Sequence, residues 1–280
     1  MKPGQESETA IMVCRARAAA DALGLAGFSD PTARVLLPEA ARTSLDAILT
    51  APVSKSARAG FERASLEVLA KLMVARTRAI DAAVRTAAHA QVVILGAGLD
   101  GRAWRMSELR DATVFEVDHP DTQRAKRDRV AGLAQSAREV RFVPVDFTRD
   151  DLDQALAAAG HDATRPTTWI WEGVVMYLSE AEVRATLAIV SKRSAPGSRI
   201  IIQYHRPAWR LWIVGLIVRR LGEPHRSLFT PEKMAALLAE YGFHVLADQD
   251  MGTISAELAP DLQAHVKNIR HMRLVTAERT

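Results

Sequence analysis

Short apolar runs rich in β-branched residues alternate with helix-like segments from residue 91 onward. Each run is long enough for one strand, and each intervening segment is long enough for the helical crossover that a parallel sheet requires. This alternation is typical of a doubly wound α/β fold. The five runs of this part of the chain are 91–95, 113–117, 140–145, 167–171 and 199–204.

Two later runs, 243–246 and 273–277, extend the pattern to a mostly parallel seven-stranded sheet. A helix beginning at Thr230 and Pro231 precedes them, and a helical pattern separates them. The Trp- and Arg-rich stretch at about 206–229 interrupts the alternation after the fifth strand. We interpret it as a helical lid insertion, although an amphipathic helix that completes the core fits its periodicity equally well.

The N-terminal third of the chain carries helical rather than strand-like spacing. Asp30 followed by Pro31 predicts a helix start, because Asp accepts hydrogen bonds from the free N–H groups and Pro fits the first turn. Apolar residues in 61–87 recur at helical intervals. We therefore expect a helical extension over residues 1–88, packed on an α/β core formed by residues 89–280.

The cysteine content and the apolar runs bear on the compartment. Cys14 is the single cysteine among 280 residues, so neither an internal disulfide nor a cysteine-based metal site is possible, and we predict no metal. The first ten residues lack the apolar segment of a signal peptide, and the run at 211–218 is too short to span a bilayer. These features predict a cytoplasmic protein without membrane insertion.

The charge pattern argues against nucleic acid as a partner. The formal net charge is +4 and the pI is about 9.4, but Lys and Arg are interspersed with acids rather than gathered in a stripe. The sequence carries no indication of the oligomeric state.

A glycine-rich turn directly follows the first predicted strand, in VVILGAGLDGR. Missing Cβ atoms let the backbone of such a turn approach a ligand closely, and the next helix offers free N–H groups. Gly96, Gly98 and Gly101 satisfy the dinucleotide pattern G-x-G-x-x-G, and Asp118 lies where a ribose-binding acid is expected. The turn therefore predicts a nucleotide-like ligand, and a nicotinamide- or flavin-linked oxidoreductase is one interpretation.

Three features favour S-adenosylmethionine over a dinucleotide. Asp100 places a carboxylate where a pyrophosphate would lie, whereas a sulfonium cofactor has no phosphate to repel. Glu116 and Asp118 point to the same side of the second strand by alternation, so both can accept hydrogen bonds from ribose hydroxyls. Asp146 and Glu172 end the third and fourth strands, along the crevice where open α/β sheets bind ligands.

These segments resemble the leucine carboxyl methyltransferase family and its bacterial small-molecule relatives. The motifs that carry the resemblance occur in the family's order and span most of the chain: ARTRAID (75–81), VVILGAGLDGR (92–102), VFEVDHP (114–120), RFVPVDF (141–147), WIWEGVVMYL (169–178) and GEPHRSLFTP (222–231). The resemblance implies a Rossmann-like class I methyltransferase fold, S-adenosylmethionine as cofactor, and O-methylation of a carboxyl group.

The resemblance also assigns roles to individual residues at the methionine end of the cofactor. It implies that Arg76 pairs with the methionine carboxylate, a task that suits a bidentate guanidinium. It implies that Glu172 faces the methionine amino group. The chain departs from the family's pattern at Gly101, where the family usually has Thr, and this change creates the apparent dinucleotide pattern.

At the nucleoside end, the resemblance places the turn Gly96–Ala97–Gly98 under the methionine and ribose portions of the cofactor. It implies that Asp118 holds the ribose hydroxyls. It further implies that Asp146 and Phe147 border the adenine.

Several residues after the fourth strand are candidates for positioning the methyl acceptor. His205 is the best-placed histidine, but a carboxylate acceptor is already ionised at neutral pH and needs no general base. We expect a small, partly apolar carboxylate as substrate, with the acceptor contacted by a set of polar side chains: Tyr177, Tyr204, His205, Arg206 and Arg226. Two alternatives stay open, an oxidoreductase using the GAGLDG turn and a non-catalytic protein that retains the cofactor site.

Overall fold

The computed structural model describes residues 7–51, 57–147, 149–207 and 226–280. Four helices precede the sheet: α1 (Glu8–Ala22), α2 (Pro31–Leu36), α3 (Glu39–Thr50) and α4 (Ala57–Ala87). The strands are β1 (Gln91–Leu95), β2 (Thr113–Asp118), β3 (Glu139–Pro144), β4 (Thr167–Trp171), β5 (Arg199–His205), β6 (Phe243–Asp250) and β7 (Met272–Arg279). The later helices are α5 (Arg102–Arg105), α6 (Pro120–Val130), α7 (Leu152–Ala158), α8 (Glu180–Lys192), α9 (Pro231–Glu240), α10 (Met251–Leu258) and α11 (Pro260–Val266).

The strands form one seven-stranded sheet in the order β3-β2-β1-β4-β5-β7-β6. The first five are parallel, whereas β7 runs antiparallel to both β5 and β6. The predicted fold class is therefore confirmed, including all seven strands. The helical segment predicted between the last two strands is two helices, α10 and α11, because Pro260 begins a new helix and cannot continue the preceding one.

The core lies in two layers, one on each face of the sheet. Along β1, Val92 and Ile94 pack toward the N-terminal helices, whereas Val93 and Leu95 pack toward α7, α8 and α9. Every residue of β1 is buried, as expected for a central parallel strand covered by helices on both faces.

Helix caps explain where the N-terminal helices begin. The side chain of Ser7 accepts a hydrogen bond from the N–H of Ala10 at the start of α1. Asp30 caps α2 by accepting from the N–H of Ala33 at 3.1 Å, with Pro31 in the first turn, as the sequence predicts.

The stretch interpreted as a lid lies mostly outside the described residues, but its two ends are placed. The N–H of Arg206 donates to the carbonyl of His271, and the N–H of Arg226 donates to the carbonyl of Met176. Both ends therefore lie at the edge of the sheet where the parallel strands end. No helix in the described ranges is long and apolar enough to cross a membrane.

Tyr204 joins the three strands at one side of the sheet. Its hydroxyl donates to Oδ2 of Asp248 on β6 at 2.6 Å and accepts from Nε of Arg273 on β7 at 3.1 Å. Arg273 also pairs with Asp248 at 2.9 Å. The predicted contact of Tyr204 with the acceptor stays a prediction, and in the described structure its hydroxyl binds two charged partners within the sheet.

We expect Tyr204→Phe to lower the free energy of unfolding by about 1–2 kcal/mol, since it removes hydrogen bonds to charged groups but leaves Asp248 and Arg273 paired. Urea denaturation measures this change. Binding of small-molecule ligands should be unaltered. A variant of unchanged stability with a raised KM for the acceptor would place Tyr204 in the substrate site.

Candidate functional site

The carboxyl ends of the parallel strands bring most of the predicted residues to one edge of the sheet. Leu95 pairs with Val117 and Ile94 with Ile170, so the residues that follow β1, β2 and β4 meet at this edge. The turn after β1, the end of β2 and the end of β4 are neighbours there. Open α/β sheets bind their ligands at this position.

The glycine turn adopts a conformation that favours glycine. Gly96 has φ +71° and Gly98 has φ +47°, both in the left-handed region. A Cβ atom at Gly96 would lie 2.3 Å from Cγ2 of Val174, and one at Gly98 would lie 3.3 Å from the Cβ of Ala10. The N–H groups of Gly96 and Ala97 both donate to the carbonyl of Val117, which fastens the turn to β2.

Asp118 is held against this turn. One carboxylate oxygen accepts from the N–H of Gly98, and the other accepts from the N–H of His119 at 2.6 Å. Burial raises the pKa of Asp118, while these two hydrogen bonds act in the opposite direction. An acid at the end of β2 is thereby fixed beside the backbone of the turn.

Glu116 occupies a different environment from the one expected. Its side chain and that of Lys126 on α6 are each 1% exposed, and the Lys126 Nζ lies 2.6 Å from Glu116 Oε2. Desolvation raises the pKa of Glu116 to about 7, against the effect of Lys126. The predicted hydrogen bond from a ribose hydroxyl to Glu116 stays a prediction, and the described structure pairs this buried carboxylate with Lys126.

Arg76 and Glu172 contact each other directly. Nε of Arg76, on α4, lies 2.7 Å from Oε1 of Glu172 at the end of β4. The other oxygen of Glu172 lies 2.8 Å from Nη1 of Arg102. Burial raises the pKa of Glu172, but the charges of Arg76 and Arg102 outweigh it, so the net shift is downward and the carboxylate stays ionised.

Arg102, which the sequence motifs did not single out, lies at the centre of this edge. It is 1% exposed and pairs with three carboxylates, those of Asp81, Asp100 and Glu172. Asp100 therefore faces a guanidinium, and this corrects the view that its charge stands free to repel a pyrophosphate. Although burial raises the pKa of Asp100, Arg102 and neighbouring cations hold it well below its usual range.

More charged residues surround this centre. Arg17 on α1 lies 3.1 Å from Asp30, and Arg105 lies 2.7 Å from Asp81 and 3.6 Å from Asp30. We call the following set the charge cluster: Arg17, Asp30, Arg76, Asp81, Asp100, Arg102, Arg105, Glu116, Asp118, Lys126 and Glu172. Except for the pair of Asp100 and Arg102, its ion pairs join residues ten or more positions apart in the chain, so a local motif does not predict them.

Asp146 and Phe147 follow β3 at the same edge. Asp146 is partly exposed, lies 3.7 Å from Arg149, and its N–H donates to Asp150. Phe147 packs against the core layer of α7 and α8. Their predicted role at an adenine stays a prediction.

The acceptor candidates do not form one cluster. His205 stacks edge-on against His271, with ring centroids 5.5 Å apart, on the face of the sheet opposite to Tyr204. Arg206 is exposed next to it. Arg226 is half exposed and lies 3.0 Å from Glu182, and its predicted contact with the acceptor stays a prediction.

Tyr177 is half-buried in a 3-10 helix, Val175–Tyr177, which directly follows Glu172 and Gly173. Gln203, which the sequence analysis did not single out, accepts the N–H of Gly173 at 3.1 Å and so fixes this connection. No group of three or more potential metal ligands occurs in the described ranges.

The chain is similar to a known family over most of its length. The model of the leucine carboxyl methyltransferase family matches residues 10–191. A protein of Mycobacterium sp. (strain JLS), described as a candidate S-adenosyl-L-methionine-dependent methyltransferase, is 32% identical over 97% of this chain and 94% of its own length. A protein of Mycobacteroides abscessus with the same description is 38% identical over 70% of this chain and 63% of its own length.

Solved structures share the fold. A candidate methyltransferase from Thermobifida fusca superposes with a TM-score of 0.59 at 15% identity, covering 100% of this chain and 97% of that chain. A DUF574 family protein from Streptomyces avermitilis gives a TM-score of 0.61 at 14% identity, covering 98% of both chains. With the family match and the whole-chain relatives, the chain belongs to the leucine carboxyl methyltransferase family, a family of S-adenosylmethionine-dependent methyltransferases.

Proposed function

We propose that this methyltransferase transfers the methyl group of S-adenosylmethionine to a carboxylate oxygen of a small, partly apolar molecule. The observation that carries the cofactor site is the buried pairing of Arg76 with Glu172 beside the glycine turn. The preference for a carboxylate rests on the family to which the chain belongs.

The Arg76–Glu172 pair suits the amino-acid end of the cofactor. An α-amino acid presents a carboxylate and an ammonium a short distance apart, and this pair offers the complementary cation and anion. Nη2 of Arg102 is buried and makes no hydrogen bond within the described ranges, which leaves one further donor for a carboxylate. In this proposal Arg76 holds the carboxylate and Glu172 the ammonium.

The nucleoside end fits the turn. Gly96, Ala97 and Gly98 present backbone without a bulky side chain, and Asp118 is fixed beside them with its carboxylate oriented by two N–H groups. Carboxylates at this strand end are suited to accept both hydroxyls of a ribose. Asp146 and Phe147 would border the adenine.

The balance of charge favours a cationic ligand over a dinucleotide. The charge cluster holds five cations against six carboxylates when Glu116 is ionised and against five when it is protonated, so it has no positive charge in excess. S-adenosylmethionine has a net positive charge, whereas the pyrophosphate of a dinucleotide adds two negative charges to the same edge. The glycine pattern shared with dinucleotide-binding proteins does not remove this repulsion.

When bound, the cofactor supplies a methyl group on a sulfonium, which an acceptor oxygen displaces in line. The residues of this chain have to hold the acceptor in that line and keep water away. A carboxylate brings its own lone pair and loses no proton. His205, packed against His271, is then a structural group rather than a base.

The first prediction concerns which ligand stabilises the fold. S-adenosylmethionine or S-adenosylhomocysteine at about a hundred times its Kd should stabilise the protein by about 2.7 kcal/mol, measured as a raised Tm in thermal unfolding. NAD and NADP should leave the Tm unchanged. A Tm raised only by a dinucleotide would overturn the cofactor assignment in favour of an oxidoreductase.

The second prediction tests Arg76. Arg76→Lys keeps the charge but loses the planar guanidinium, so the Kd for S-adenosylmethionine should rise about 10- to 100-fold in calorimetric titration. Arg85→Lys is the matched control, because Arg85 lies on the same helix and pairs with Glu108 at the surface. Equal Kd values for the two variants would remove Arg76 from the site.

The third prediction separates a carboxylate acceptor from a hydroxyl acceptor. With a carboxylate, kcat should be constant between about pH 6 and 9, because the nucleophile is already ionised over this range. His205→Gln should leave kcat within about threefold of the wild type. Two results together would instead indicate a hydroxyl acceptor and a catalytic base: a wild-type kcat that rises with pH, and a kcat at least 100-fold lower in His205→Gln.

A further inference from the structure

Gly101 occupies a position whose backbone does not require glycine. Its φ of −106° and ψ of 3° are accessible to any L-residue. Nevertheless, a Cβ atom at this position would lie 2.1 Å from Oγ1 of Thr32, 3.2 Å from its Cβ and 3.3 Å from Oδ1 of Asp30. The restriction at Gly101 therefore comes from the neighbouring chain rather than from its own conformation.

Thr32 is held firmly in this position. It is buried, and its hydroxyl donates to Oδ1 of Asp30 at 2.6 Å. Asp30 is itself buried, caps α2 and pairs with Arg17. The Thr32 hydroxyl cannot rotate away from Gly101 without losing its hydrogen bond in a buried environment.

The same N-terminal helices contact the turn on both sides of Gly101. Nη2 of Arg17 donates to the carbonyl of Leu99 at 2.5 Å, and Oδ2 of Asp30 lies 3.6 Å from Nε of Arg105. Gly98, whose N–H donates to Asp118, immediately precedes the first of these contacts, and Arg102, which pairs with Glu172, lies between the two. A shift of residues 98–102 would move the groups assigned to the cofactor at both of its ends.

We propose that Thr32 is a positioning residue for the cofactor turn: its hydroxyl fills the space that a side chain at Gly101 would take, and this contact sets where residues 98–102 lie. Residues 32 and 101 thus form a size-matched pair contributed by the helical extension and by the glycine turn. The inference rests on the proposed cofactor site for its functional consequence, while the packing of the two residues stands independently.

A double-mutant cycle tests the pair. Gly101→Ala should raise the Kd for S-adenosylmethionine at least tenfold, because the turn must move away from the Thr32 hydroxyl. Thr32→Ala alone should raise the Kd by about threefold, because the contact that positions the turn is lost but nothing pushes the turn away. The double variant Gly101→Ala/Thr32→Ala should return to within threefold of Thr32→Ala, because removing the hydroxyl relieves the 2.1 Å overlap and leaves only the 3.2 Å approach of the two Cβ atoms.

Thr32→Ser supplies the matched control, since it retains the hydroxyl that the proposal invokes. Thr32→Ser alone should bind as the wild type, and Gly101→Ala/Thr32→Ser should bind as poorly as Gly101→Ala. All titrations are made well below each variant's Tm, with circular dichroism showing folded protein, so that the Kd reports the position of the turn rather than the unfolded fraction. Normal binding by Gly101→Ala, or a double variant no better than Gly101→Ala, would overturn the proposal.

The Tm values of the same variants keep this test separate from the cofactor assignment. If the wild type does not bind S-adenosylmethionine, the proposed function fails. The stability of Gly101→Ala and its rescue by Thr32→Ala would still decide whether the two residues are a packed pair.

Discussion

Arg102 lies inside the protein with its guanidinium shared among Asp81, Asp100 and Glu172. Removing one partner of such a buried pair costs about 3–5 kcal/mol, because the charge left behind has no water to solvate it. All members of the charge cluster must therefore be in place together. They come from α1, α2, α4, α5, α6 and three strand ends, so this requirement ties the N-terminal helices to the sheet.

This constraint gives the helical extension a role in the cofactor site. Arg76 and Asp81 lie on α4, and Arg17 on α1 contacts both Asp30 and the glycine turn. Without these helices Arg102 would lose Asp81 as a partner and Glu172 would lose Arg76. In the proposed cofactor site the extension therefore supplies residues that the sheet alone lacks, and the family match, from residue 10, includes this extension.

The sequence was sufficient for the strands and for the glycine turn because both depend on local pattern. β-branched runs predict buried parallel strands, and the carboxyl ends of such strands meet at one edge whatever the side chains do. Local pattern does not predict which side chains pair with one another. Alternation correctly places Glu116 on the same side as Asp118, but it does not reveal that Lys126 reaches Glu116 from the following helix.

Tyr204 shows the same difficulty. Its hydroxyl finds Asp248 and Arg273 on strands that join the sheet only later in the chain, and a position at the end of a strand gives no sign of them. Arg102 escaped notice because its three partners lie at positions 81, 100 and 172, of which only Asp100 is nearby in sequence. Pairing across long sequence separation is the information that local pattern lacks.

The extent of the family match distinguishes the residues proposed to hold the cofactor from most of the acceptor candidates. It ends at residue 191, within α8, and so includes every residue proposed to hold the cofactor, from Arg76 to Glu172. His205, Arg206 and Arg226 lie beyond that limit. A sulfonium donor makes the same demands on every member of a family, whereas each acceptor has its own shape, so residues that contact the acceptor are expected to differ between members with different substrates. Acceptor preference is therefore expected to follow the residues after α8, and exchanging them between relatives should change the substrate while leaving the Kd for S-adenosylmethionine the same.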